Sequence, residues 1–115
     1  MKTPAEIPDE KLTTALWDAG QRKANWEREF IVKENQRLVV LAVLTEQSTE
    51  SSHSAAERQA RTTTEYKEFL TELGEIKEKL TLSRAWYESI KFEINMRINR
   101  SFQDRAEYQG GRLQT

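Results

Sequence analysis

The sequence contains no cysteine, which excludes disulfides, thiolate catalysis and cysteine-ligated zinc. Its single histidine, His53, lies in a serine-rich stretch. One histidine makes no His–His metal pair, and the Glu-x-x-His repeat of di-metal helical bundles is missing. Ser51, Ser52 and Ser54 flank it in a predicted turn, without the fixed base and oxyanion donors that acyl transfer needs. The only adjacent glycines, Gly110 and Gly111, are followed by no helix that could present N–H groups to a phosphate. Both prolines, Pro4 and Pro8, sit near the amino terminus, so none interrupts a helix further on. The longest apolar run, Leu38 to Leu44, falls far short of the ~20 residues that span a bilayer. Met1 to Glu10 lacks the apolar stretch of a signal peptide. An excess of one charge is missing too: 18 basic residues face 19 acidic ones, for a net charge of −1, so nothing draws the whole chain to nucleic acid or an anionic membrane. The expectation is a cytoplasmic, non-enzymatic protein without cofactor, metal or membrane contact.

What is present is helical periodicity. Tyr66, Phe69, Leu73, Ile76, Leu80, Ser83, Tyr87, Ile90 and Ile94 recur at alternating steps of three and four. That spacing aligns them along one seam of an α-helix, as in a coiled coil. After Ile94 the steps lengthen to four through Ile98 and Phe102, so the helix is expected either to bend or to change partners near Asn95. In the first half, Leu12, Ala15, Leu16 and Ala19 share one helical face, and Trp26, Phe30, Lys33, Arg37, Leu41 and Leu44 keep helical spacing. Phe30 to Val32 and Leu38 to Leu44 widen that stripe until it is apolar all round. A short strand is the competing reading of the second run, given its valines. Helix is preferred, because no second strand-like segment exists to pair with it.

The expected organisation is a flexible arm at residues 1–8, a helical hairpin at 9–108 and a flexible tail at 109–115. Within the hairpin, a first helical arm spans 9–47, a turn 48–53 and one long helix 54–108. Asp9 is expected to cap the first arm, and Gly20 either divides that arm or sits inside it. Ser52 or Ser54 caps the second helix, Ser54 with Glu57 fitting a capping box. Gly110-Gly111 ends it. The fold class is all-α, a long antiparallel hairpin that assembles as a dimeric four-helix bundle or a higher oligomer. The expected interface between copies is Phe30, Leu38, Leu41, Leu44, Phe69, Leu73, Ile76, Leu80, Tyr87, Ile90 and Ile94. Trp17, a large side chain beside Gly20, is the candidate for binding a different protein.

The function expected is an interaction or assembly protein acting by protein–protein contact. The alternative is a nucleic-acid accessory protein, because the last third is the most basic part of the chain. Arg84, Lys91, Arg97, Arg100 and Arg105 would supply phosphate contacts there, with interleaved aromatics for stacking. Arg97 falls on the seam, where it calls for an acidic partner or for water. The segment Lys79 to Phe102, KLTLSRAWYESIKFEINMRINRSF, resembles small helical proteins encoded by phages and prophages, some of them near recombination or replication genes. The resemblance implies a viral accessory protein that binds a host or phage protein, or DNA; it transfers no functional residue.

Overall fold

The computed structural model describes residues 3–113, with side chains through residue 107. A single-turn 3-10 helix, Pro4–Glu6, precedes three α-helices: α1, Asp9–Glu46; α2, His53–Arg61; and α3, Thr64–Leu113. The described residues hold no strand, so Leu38 to Leu44 is helical. The architecture is the all-α helical hairpin, and the chain forms two compact units, Met1–Gln21 with Arg84–Thr115, and Arg22–Ser83.

In the first unit α1 and α3 run antiparallel: Asp9 meets Arg97, and Gly20 faces Tyr87. Leu12, Ala19 and Ile90 are buried there, with Ile7, Leu16, Trp86 and Ile94 packed around them. Gly20 does not break α1. A Cβ built on it would stand 3.5 Å from the Tyr87 ring, an ordinary contact, so the ring packs over this position without requiring glycine while the helix continues through it.

In the second unit the same antiparallel pairing brings Lys79 over Trp26, Lys33 to Glu72 and Leu41 against Tyr66. Helix α2 covers the end of this pair with alanines; Ala60 is fully buried beside Leu41 and Tyr66.

The turns explain where sequence and structure part. Ser52, not Ser54, caps α2, accepting from the Ala55 N–H at 3.1 Å. Glu57 therefore makes no capping box and instead holds Arg61 at 2.7 Å. The single helix expected over 54–108 is two helices, broken at Thr62 and Thr63. The Thr63 hydroxyl donates to the Ala60 carbonyl at 2.7 Å and accepts the Tyr66 N–H at 3.2 Å. One side chain thus ends α2 and starts α3, because a short hydroxyl competes with helical backbone bonds. At the far end α3 runs through Gly110-Gly111 to Leu113, past the stop expected at Tyr108. Glycine weakens a helix interior but does not forbid it. The tail expected at 109–115 is therefore helical as far as Leu113, and its last residues, 114 and 115, lie outside the described ones.

The amino-terminal arm is also corrected. Residues 1 and 2 lie outside the described ones, but Pro4–Glu6 is a helical turn and Ile7 packs on the core. Asp9 is the first residue of α1 rather than its cap, and its carboxylate is taken by Arg97 at 2.6 Å.

Candidate functional site

The seam of α3 is closed within the chain. Tyr66, Phe69, Leu80 and Ile90 are buried, and Leu73, Ile76, Ser83, Tyr87 and Ile94 are partly buried. This corrects part of the expected interface between copies: Leu41, Phe69, Leu80 and Ile90 have almost no surface left to offer a second chain. Phe30, Leu44, Leu73, Ile76, Tyr87 and Ile94 keep only partial exposure. Leu38 alone of that set stands out in solvent, at 66%.

Leu38 belongs to a larger surface. Ile31, Val32, Val39 and Val43 are exposed with it, at 48% to 63%. On a helix of about 3.6 residues per turn these five side chains, with Ala42, share one arc, with the exposed Asn35 at its centre. The arc lies opposite Phe30, Lys33, Arg37, Val40 and Leu44, the side of α1 turned toward α3. At half to two-thirds exposure they present on the order of 500 Å² of apolar surface, the upper end of what a monomer leaves uncovered. The sequence signal was the all-round apolar run, but period alone did not separate its inner from its outer residues.

The inner face of α1 is held by polar groups. Lys33 reaches Glu72 at 2.7 Å and lies 4.9 Å from the centre of the Phe69 ring. The Tyr66 hydroxyl, then Glu34, holds the Arg37 guanidinium above its ordinary, already high pKa.

The residues proposed from sequence for nucleic acid divide. Arg97 is engaged: Nε to Glu93 at 2.9 Å, Nη1 to Asp9 at 2.6 Å, and Nη2 to the Pro4 and Ala5 carbonyls at 3.2 and 3.3 Å. Glu93, then Asp9, raises its pKa by hydrogen bonding, against a smaller opposing effect of desolvation. The acidic partner that Arg97 called for is therefore in the chain itself, and Arg97 is not available to phosphate. Lys91 lies 3.8 Å from Glu88 and 5.5 Å from the centre of the Tyr87 ring. Arg84, Arg100 and Arg105 are exposed. Trp17 is 67% exposed.

Arg97 ties the amino-terminal turn to α3, and sequence reasoning missed this clamp because its acceptors lie some 90 residues away in the chain. Arg97→Ala is expected to free that turn, so that amide exchange at Glu6 and Ile7 speeds up about tenfold. It also leaves Glu93, 8% exposed, without its cation, so Tm falls. Arg100→Ala is the control. Unchanged exchange at Ile7 in Arg97→Ala would show that the clamp holds nothing.

Among the described residues no group of three or more His, Asp and Glu side chains could hold a metal, and no helix is long and apolar enough to cross a membrane. The fold and its surface define a helical hairpin that closes its seam internally and leaves a second apolar face of α1 open. No protein-family model, curated protein or solved structure matches the chain.

Proposed function

We propose that this is a non-enzymatic interaction protein that works by docking the outer face of α1 on another protein surface. The observation that carries the reading is the exposed arc of Ile31, Val32, Leu38, Val39 and Val43. Fully burying one such side chain is worth roughly 1.5–3 kcal/mol, in a fold whose total stability is about 5–15 kcal/mol. Covering the arc therefore supplies a driving force comparable to folding itself. The engaged state of Arg97 and the near-neutral net charge weigh against the nucleic-acid alternative. The resemblance to small phage proteins adds a setting, an accessory protein in the cytoplasm of a host cell.

A benzophenone amino acid at position 39 of the full chain tests the reading in the expressing cell. Irradiation is expected to give covalent adducts to protein from position 39 and few from position 75, on the polar side of α3. Equal, low yields at both positions would refute docking through this face.

A further inference from the structure

We propose that the outer face of α1 packs antiparallel on the same face of a second copy, so that Arg28 of each copy meets Glu46 of the other. The inference rests on the proposed function and names the occupant of that surface.

Charge placement carries the argument. Arg28 and Glu46 are separated by about five helical turns and so project along the same azimuth. The apolar arc lies between them, and both are exposed. Among the described residues no ion pair engages either one within its own chain. Parallel pairing of two such faces would set arginine on arginine at one end and glutamate on glutamate at the other. Antiparallel pairing about a two-fold axis sets opposite charges together at both ends, because one patch must complement itself. The surroundings of Glu46 reinforce this. Glu50, exposed, lines with Leu38 and Ala42 a groove beside it, while Glu57 in that groove is already paired to Arg61; Arg28 of the second copy arrives at the Glu46 and Glu50 carboxylates.

Area agrees. Two arcs of the size estimated above bury on the order of 1,000 Å², the threshold for a specific interface. An antiparallel partner also covers the arc along its whole length, since Ile31 then lies near Val43 of the second copy. Each α1 keeps its own α3 on the opposite side, so over this stretch four helices lie in a row rather than in a square.

Sedimentation equilibrium of the full chain, from about 1 to 100 µM, tests the arrangement, with circular dichroism to confirm helicity. The wild type is expected to be a dimer. Val39→Glu, which sets a charge in the apolar arc, should raise the dimer Kd about a hundredfold or more. Arg28→Glu and Glu46→Arg should each raise it about tenfold, because each turns two attractive pairs into repulsive ones. The double variant Arg28→Glu/Glu46→Arg should return to within about threefold of the wild type. Both charge positions are exposed, so these variants decide the matter even if Val39→Glu fails to fold. A wild type that stays monomeric at the top concentration, or a double variant no tighter than the singles, overturns the proposal. If position 39 still cross-links to a different protein, only the choice of partner is wrong; if it cross-links to nothing, the proposed function falls as well.

Discussion

Ile90→Ala is expected to destabilise the fold by about 3 kcal/mol, within the 2–5 kcal/mol usual for emptying a core site of this size. Ile90 is fully buried and lies in one cluster with Leu12 and Ala19. The loss has two parts: the apolar surface no longer removed from water, and the cavity that two stiff helices cannot collapse to fill. Set against a total of about 5–15 kcal/mol, this is a large share of the stability. Leu82→Ala, on the exposed side of α3 at 62%, should change stability by only a few tenths of a kcal/mol. The check is urea unfolding at one fixed protein concentration, since a self-associating chain has concentration-dependent stability. If the two variants have the same midpoint, α3 does not pack on α1 through Ile90.

Ala60→Leu is expected to cost about 2 kcal/mol for the opposite reason, too much volume rather than too little. Ala60 is fully buried where α2 meets Leu41 and Tyr66, and it sits one turn before the Thr63 cap. A larger side chain there must push α2 off the end of the α1–α3 pair. Amide exchange should report this locally, with α2 losing protection while the Ile90 cluster keeps it. Ala55→Leu, at a partly exposed position on the same helix, is the control and should be near neutral. Undisturbed protection in α2 of Ala60→Leu would mean that α2 is not seated by this alanine.

How much of this was legible depended on how local the cause was. The seam of α3 was legible residue by residue, from Tyr66 to Ile94, because a 3-4 spacing acts through one helix and needs no knowledge of its neighbour. The break at Thr62 and Thr63 was not read. A threonine in a helix interior and one at a cap look alike until the next helix supplies an N–H such as that of Tyr66. The stop expected at Gly110-Gly111 failed because glycine ends a helix only where the chain turns away, and here it continues to Leu113. Arg97 was recognised as anomalous on its seam, but its acceptors, Asp9 and the Pro4 and Ala5 carbonyls, come from the other end of the chain.

The candidate surface divides the same way. That α1 carries more apolar side chain than one neighbour can cover follows from residue spacing alone. Hydrophobic period is a property of one segment, and Leu38 to Leu44 exceeds a single stripe. Which side faces inward depends on the packing of α3 against it. The inner side carries Lys33 and Arg37, and the outer side keeps Leu38 and Val39. The reason is register: α3 brings Glu72 and Phe69 to Lys33 and Tyr66 to Arg37, so those cations find partners inside while the aliphatic side chains opposite them are left to solvent.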